Sequence, residues 1–309
     1  MPTKTKNIIK ILISLLLVGW LIFSVNWKEV LGYLAGVNIG LLLLFVILYL
    51  IGIVVSAQKW KLISRSKDFS QPFVFFFKTY ILGVFLNNFF PSFVGGDTYR
   101  SIALGRSDGK RFQSSASTVV FDRLSGLFAA CLLGVVFGLL NLEVMGEFLM
   151  WRYFVWIIIL GLVALFGLEY FWKKKAIQDL VSRLPDIFKK HLKELSRFRE
   201  PKVFFETMLW SIVFSLLGLA LVNYILFLAV GIKIDWLNYL SVIFFISIIS
   251  SIPISIGNIG VKEWAYIAFF GIFGVSSSVA VTVVLLSRVI QLLVSLLAFP
   301  IYLKDIKTK

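Results

Sequence analysis

The sequence predicts an all-α polytopic membrane protein with about six full spans and two re-entrant hairpins broken by proline and glycine. Of its 309 residues, 59% are hydrophobic and only 15% are charged, whereas a soluble domain has about 25% charged residues. The mean hydropathy is +0.93, and apolar runs recur along the whole chain. A bilayer is therefore the solvent that this composition requires.

Six apolar runs have the length of about 20 residues that a membrane-spanning helix needs. They cover 8–25, 38–57, 116–140, 151–172, 203–230 and 279–303. Two further apolar regions, 72–98 and 236–274, are interrupted by Pro and Gly. The first run follows three lysines but has no clear signal-peptide cleavage site, so we expect it to be retained as a helix.

Basic residues between the runs predict the orientation of the chain. They concentrate at both ends of the sequence and in the loops 58–71, 99–114 and 173–202. The positive-inside rule places both termini and these loops in the cytoplasm of a cell-membrane protein. The two broken regions must then each enter and leave on one face, from opposite sides. Within this single transmembrane domain, 1–309, the segment 173–202 is predicted to be a basic amphipathic linker on the cytoplasmic surface.

The two broken regions share a pattern in which a proline precedes a glycine by four residues, and a glycine or asparagine follows. These residues are Pro91, Gly95 and Gly96 in the first region, and Pro253, Gly257 and Asn258 in the second. In both cases the next span has a Thr-Val-Val triplet followed by an arginine, Arg123 or Arg288. Together with the opposite orientations, this predicts inverted repeats over 5–140 and 151–305, the plan of many transporters.

Both breaks are candidate binding sites. Proline and glycine free backbone N–H and C=O groups, which survive in a membrane only where protein or a water-filled cavity satisfies them. Freed N–H groups at a helix start also bind anions, so we favour a site over simple helix kinks. The candidates at the first break are Asn87, Asn88, Pro91, Gly95, Gly96, Asp97 and Arg100. Those at the second are Pro253, Gly257, Asn258, Gly260 and Glu263.

Three charged residues, Asp122, Arg123 and Arg288, lie inside apolar spans. A charge at mid-membrane costs at least about 2.5–3.5 kcal/mol on insertion scales. Asp122 and Arg123 are adjacent and point in different directions on a helix, so each needs another partner. Asp122 could meet Arg288 or Arg100, and Arg123 could meet Asp97 or a phosphate. Structural salt bridges and a cationic site for a lipid phosphate are both consistent with this pattern, because arginine binds phosphate oxygens in pairs.

The composition disfavours several other classes of function. One histidine, His191, and one cysteine, Cys131, cannot make a usual zinc site or a nucleophile–histidine pair within the membrane, so no metal is expected. No phosphate-binding loop motif occurs, and no cofactor is expected. The net charge of +15 lies between apolar runs without a basic–aromatic module, which disfavours nucleic-acid binding.

Three motifs together resemble the lysylphosphatidylglycerol synthase/flippase transmembrane-domain family over about residues 5–305. They are NNFFPSFVGGDTYR, FDRLSGL and PISIGNIGVKEW. The matching positions are Pro91, Gly95, Gly96, Asp97, Arg100, Asp122, Arg123, Gly126, Pro253, Gly257, Gly260 and Glu263. The third motif departs from the family's frequent Pro-Gly-Gly. The family's best-known member also carries a soluble aminoacyl-transferase domain, which does not follow here, so no synthase activity is expected.

This resemblance implies translocation of lipid between leaflets through a cavity bounded by the two hairpins. We expect a transporter rather than an enzyme, for an anionic phospholipid, a glycolipid or a lipid-linked carrier whose head group contacts Arg123, Arg288 and the hairpin tips. Two alternatives stay open. One is a non-transporting membrane partner of a cell-envelope glycosyltransferase. The other is an intramembrane lipid-modifying enzyme with Asp97, Asp122 or Glu263 as acid or base.

Overall fold

The computed structural model of the protein describes residues 3–89, 94–109, 112–146, 153, 155–156, 200–252 and 254–300. Every secondary-structure element in these ranges is a helix, which confirms the predicted all-α class. Nearly all of the predicted span 151–172 and of the linker 173–202 lies outside the described residues, as do Pro91, Pro253 and the end of the last predicted span.

The first half of the chain contains seven helices in the described ranges. They are α1 Thr3–Ser24, α2 Trp27–Ala35, α3 Ile39–Arg65, α4 Phe73–Phe89, α5 Val94–Ser107, α6 Phe112–Leu140 and the short α7 Leu142–Met145. The second half begins with α8 Pro201–Val213, which continues through the π-helix Phe214–Leu221 into α9 Val222–Ala229. It continues with α10 Trp236–Ser251, a 3₁₀ turn Ile256–Asn258, α11 Val261–Gly271, α12 Ser277–Ser295 and a second 3₁₀ turn Leu296–Ala298.

Short polar side chains begin several of these helices by accepting hydrogen bonds from otherwise unpaired backbone N–H groups. Asn26 accepts from the N–H groups of Lys28 and Glu29 at the start of α2. Asn38 begins α3, Asp235 begins α10 and Ser276 begins α12 in the same way. These caps fix where each helix starts after a short connection.

Four helical units are long and apolar enough to cross a membrane, namely α3, α6, Lys202–Ala229 and Ser277–Ala298. A fifth candidate consists of α1 and α2 together, which are bent by 81° at their junction. These units contain most of the predicted spans. The helix α3 is longer than predicted, because it continues to Arg65. The prediction that Lys59, Lys61 and Arg65 lie in a loop is therefore wrong.

Each half has a long helical unit, a hairpin of two shorter helices and a second long unit. The predicted broken regions 72–98 and 236–274 correspond to the hairpins α4–α5 and α10–α11. The helix α5 runs on to Ser107, so the predicted loop 99–114 is mostly helical, and its Arg100 is buried. The opposite membrane orientation of the two halves stays a prediction.

The largest hydrophobic cluster joins α9, α10, α11 and α12 to the N-terminal half of α3 and the C-terminal half of α6. Its aromatic centre includes Phe227, Tyr239 and Phe270, with ring centroids of neighbouring pairs 4.7–6.0 Å apart. A smaller cluster, including Trp60 and Phe76, packs the first hairpin between α3 and α6. The first hairpin thus packs on α3 and α6, and the second packs on α6 and α12.

Candidate functional site

Two close contacts determine the shape of the first hairpin. The side-chain Oδ1 of Asn87 accepts a hydrogen bond from the backbone N–H of Gly96, at 2.9 Å, and so satisfies one free donor at the start of α5. Gly96 packs directly on Gly83 of α4. A Cβ at position 96 would collide with the Gly83 carbonyl oxygen and lie 2.7 Å from Asn87 Oδ1. A residue with any side chain would push the two helices apart.

Two ion pairs cross from α5 to α6. Asp97 binds Arg123 through two bonds, with Oδ2 2.9 Å from Nε and Oδ1 3.0 Å from Nη2. Arg100 Nη2 lies 2.7 Å from Asp122 Oδ2, and Arg100 Nη1 also lies 3.4 Å from Asp97 Oδ1. Of the partners that the sequence left open for Asp122 and Arg123, the structure thus selects Arg100 and Asp97.

A third cation, Lys59 of α3, completes this cluster. Its Nζ lies 2.9 Å from Asp122 Oδ1 and also donates to the Asp122 backbone carbonyl at 2.9 Å. The Arg100 guanidinium lies between the rings of Trp60 and Tyr80, 4.3 Å from each centroid, an arrangement that stabilises a buried cation. The cluster thus combines three cations with two carboxylates and carries one excess positive charge.

Sequence reasoning missed Lys59 because it counted this residue among loop cations. The sequence did contain a signal that the helix continues past Lys59, because no Gly or Pro separates the apolar run of α3 from Arg65. An uninterrupted helix would have placed Lys59 inside the bundle. Its burial, with only 4% of the residue exposed, required an anionic partner nearby.

Arg123 differs from the other members of the cluster in its exposure. Its side chain is 50% exposed, whereas those of Arg100 and Asp122 are 2% and 3% exposed. Asp97 occupies its Nε and Nη2 atoms, and among the described residues nothing binds Nη1. An open pocket of about 300 Å³ lies beside it, lined on the polar side by Asp97, Thr98 and Ser101. Arg123 therefore has one guanidinium edge held and one edge available.

The second hairpin has its own ion pair. Glu263 accepts from the backbone N–H of Gly260 at 2.8 Å and from Arg288 Nε at 2.8 Å. Arg288 also donates from Nη1 to the Gly257 carbonyl at 3.0 Å and from Nη2 to the Asn258 carbonyl at 2.8 Å. The backbone carbonyls freed at this break are thus satisfied by an arginine of α12, as a break inside a membrane requires.

Backbone conformation explains the glycines of this break. Gly257 and Gly260 have φ angles of +59° and +86°, which residues with a side chain rarely adopt. Gly260 also packs on Leu17 of α1, where a Cβ would collide with the Leu17 Cβ. Asn258 has φ +55°, and its side-chain amide donates to the Ser250 carbonyl. Gly257, Asn258 and Gly260, which the sequence predicted as site residues, thus shape the turn.

Lys262 is the charged residue at the second hairpin that the predicted site did not include. Its Nζ lies 3.4 Å from Ser287 Oγ and 5.7 Å from the centroid of the Tyr266 ring. Among the described residues no carboxylate oxygen lies within 4 Å of it. Glu263 is adjacent in sequence but points elsewhere on the helix and pairs with Arg288 instead. This second cluster therefore also carries one excess positive charge.

The predicted site residues thus divide into two groups. Asp97 and Arg100 of the first break join Asp122 and Arg123, while Arg288 joins the second break and does not line the pocket beside Arg123. Asn88 does not contact the charged cluster but donates to Ser295 Oγ of α12 at 2.8 Å, linking the first hairpin to the second half. Gly95 begins α5 and is half-buried. In the described part of the chain, no group of three His, Cys, Asp or Glu side chains could hold a metal ion.

The comparison with known families shows which family the chain belongs to. Residues 7–298 match the family described as the lysylphosphatidylglycerol synthase TM region. The chain belongs to this family. The match includes both hairpins and all the ion pairs described above, and it confirms the resemblance that the three motifs carry.

Members of family UPF0104 are similar to this chain over most of their length. A membrane protein of this family from Pyrococcus horikoshii is 26% identical, with 93% of each chain covered. One from Methanocaldococcus jannaschii is 24% identical, covering 93% of this chain and 91% of the relative. A third from Methanothermobacter thermautotrophicus is 22% identical over 90% and 88% of the two chains.

Proposed function

We propose that the protein is a lipid translocator that moves an anionic phospholipid or glycolipid between the leaflets of the cell membrane, with both termini in the cytoplasm. The observation that supports this best is the half-exposed Arg123 close to the midpoint of the spanning helix α6. A charge at this depth needs a partner or a polar cavity. Asp97 binds one edge of the guanidinium, and an anionic head group would bind the other.

The surroundings of Arg123 suit an amphipathic ligand. The pocket beside it has apolar walls from Ala116, Val119 and Leu124, so acyl chains could remain in the bilayer while the phosphate contacts the arginine. The bidentate bond to Asp97 holds the guanidinium in place before the lipid arrives, which lowers the entropic cost of binding. Asp97 also offsets part of the positive charge, which favours release of the head group.

The arrangement of the two halves supports transport rather than catalysis. Each hairpin holds an arginine that is close to the midpoint of the next long helix, and each charged cluster has one excess positive charge. Two such clusters could receive the head group in turn while the halves tilt. The family description names lysylphosphatidylglycerol, a phospholipid, which supports a phospholipid as the transported class.

The test is leaflet exchange of fluorescent phosphatidylglycerol in vesicles that contain the purified protein. We expect the wild-type protein to accelerate exchange and Arg123→Gln to lower the rate by at least about tenfold, because a hydrogen-bonded charge contributes about 1.5–3 kcal/mol. Arg65→Gln is the matched control, since Arg65 is exposed at the end of α3, and its rate should equal that of the wild type.

Two results would contradict the proposal. The first is a folded wild-type protein that exchanges neither anionic phospholipids nor glycolipids, which would favour a membrane partner of a glycosyltransferase. The second is chemical alteration of the lipid during the assay, detected by mass spectrometry, which would favour the lipid-modifying enzyme.

A further inference from the structure

Two pockets lie in succession along the groove between α5 and α6. The first pocket is the one beside Arg123, with a volume of about 300 Å³. The other, of about 440 Å³, is lined by Ile102, Gly105, Arg106, Gly109 and Phe112. Phe112 lines both pockets, so the two pockets adjoin at this residue. We call the two pockets together the α5–α6 groove.

The register of the two helices orders the arginines along this groove. The helices α5 and α6 are antiparallel and joined by a short connection, and Ser115 Oγ donates to the Ser101 carbonyl at 2.6 Å. Arg106 lies one residue before the end of α5, next to that connection. Arg123 lies eleven residues along α6, roughly 16 Å from its start at 1.5 Å per residue. One cation thus lies at the end of the groove next to the connection, and the other lies near the midpoint of α6.

The groove is amphipathic across its width. Its lining includes the polar side chains of Asp97, Thr98 and Ser101. Its rim has exposed apolar side chains: Ile102 is 36%, Phe112 51%, Val120 43% and Leu124 49% exposed. A ligand with a polar head and long apolar chains fits such a groove from the side, whereas a free inorganic anion would gain nothing from the rim.

Arg106 is free to bind a ligand. It is exposed, and among the described residues no carboxylate oxygen lies within 4 Å of it. Gly109, which lines the same pocket, leaves space, since a Cβ there would meet nothing within 4 Å. Neither Arg106 nor Phe112 belonged to the site that the sequence predicted.

We propose that the α5–α6 groove is a lateral path for the head group of an anionic phospholipid. Arg106 binds the phosphate at the leaflet next to the α5–α6 connection, which is the cytoplasmic leaflet in the predicted orientation. The phosphate then passes Phe112 and binds the free edge of Arg123, while the acyl chains stay outside the apolar rim. This inference rests on the proposed function and adds the route and the first contact residue.

The test locates bound lipid independently of transport. A photoreactive amino acid replaces Ile102 or Val120 on the rim, or Leu16 on the bilayer-facing side of α1 as a control, since Leu16 is 73% exposed. Each full-length protein is placed in vesicles that contain tagged phosphatidylglycerol or tagged phosphatidylcholine in equal amounts. Crosslinked lipid is then measured in the wild-type background, with Arg106→Gln and with Arg123→Gln.

We expect phosphatidylglycerol to be crosslinked several-fold more than phosphatidylcholine at 102 and 120, and the two lipids to be crosslinked equally at 16. Arg106→Gln should abolish the preference at 102, and Arg123→Gln should abolish it at 120. Equal crosslinking of the two lipids at the rim of a folded protein would overturn the inference. So would displacement of the tagged lipid by inorganic phosphate as effectively as by short-chain phosphatidylglycerol, because the site would then bind a soluble anion.

Exchange measured on the same samples distinguishes the two proposals. Lipid exchange without a preference at the rim would leave the translocator proposal intact and overturn the groove. A preference at the rim without exchange would support the groove as a lipid site and contradict translocation.

Discussion

At the scale of single residues, burial decides how each charge in the membrane is used. Arg100 and Asp122 are almost completely buried and bind each other, and Asp122 also binds Lys59, whereas Arg123 keeps one edge exposed. The sequence predicted that Asp122 and Arg123 need separate partners, because neighbours on a helix diverge. It could not choose the partners, because the register between α5 and α6 depends on packing that no local pattern encodes.

Two lysines give a direct test of charge pairing. Lys59→Met removes one of the two cations that bind Asp122, and breaking a buried pair costs about 3–5 kcal/mol. Lys262→Met removes an ammonium that has no carboxylate partner in the described residues. The stability of this variant should therefore equal or exceed that of the wild type. Thermal unfolding in detergent should therefore show a clear fall in Tm for Lys59→Met only. A similar fall for both variants would contradict the pairing.

At the scale of helices, the Pro and Gly pattern located both hairpins, while the boundaries near the charges were wrong. Lys59 and Arg100 were placed in loops because a count of basic residues does not distinguish solvated cations from cations paired inside the bundle. The structure shows the pairing that makes their burial tolerable. Pro and Gly thus predict where the helices break. Basic residues predict where a helix ends only if no buried carboxylate is available to pair with them.

The contact between Gly83 and Gly96 predicts a strict size limit in the first hairpin. Gly96→Ala should destabilise the protein by about 1–3 kcal/mol, because the added methyl group forces α4 and α5 apart. Gly32→Ala in α2 is the matched control, since its Cβ would meet nothing within 4 Å and alanine favours helix. Thermal unfolding of the two variants checks this, and equal stability would show that the hairpin adjusts without cost.

The hydrogen bonds of Arg288 hold the turn of the second hairpin together. It donates to two backbone carbonyls and to Glu263 at once, and a lysine lacks the planar fork that makes these bonds together. Arg288→Lys should therefore loosen the turn, and hydrogen exchange of the backbone amides in 254–262 should become faster. Exchange in α4 and α5 serves as the internal control and should not change. Unchanged exchange at 254–262 would show that the turn does not depend on the arginine.

At the scale of the whole molecule, the sequence predicted the order of long helices and hairpins in both halves but not how the halves touch. That contact involves small residues, since a Cβ at Gly52 of α3 would lie 3.1 Å from the Gly218 Cα in the π-helix. Such close approach of backbones is typical of membrane helix interfaces. The apolar runs around Gly52 and Gly218 do not indicate this contact, because each glycine packs on a neighbour more than 160 residues away in the sequence.

The Gly52–Gly218 contact yields the last prediction, which rests on the proposed tilting of the halves. If α3 and the π-helix move against each other during transport, Gly52→Ala should lower the rate of lipid exchange several-fold by separating the two backbones. The same variant should keep its lipid crosslinking at 102 and 120, since Gly52 lines neither pocket of the groove. Gly19→Ala in α1, where a Cβ would meet nothing within 4 Å, is the control and should exchange lipid at the wild-type rate. Normal lipid exchange by Gly52→Ala would show that the halves do not move at this contact. Loss of both crosslinking and exchange would indicate a folding defect, which thermal unfolding would detect.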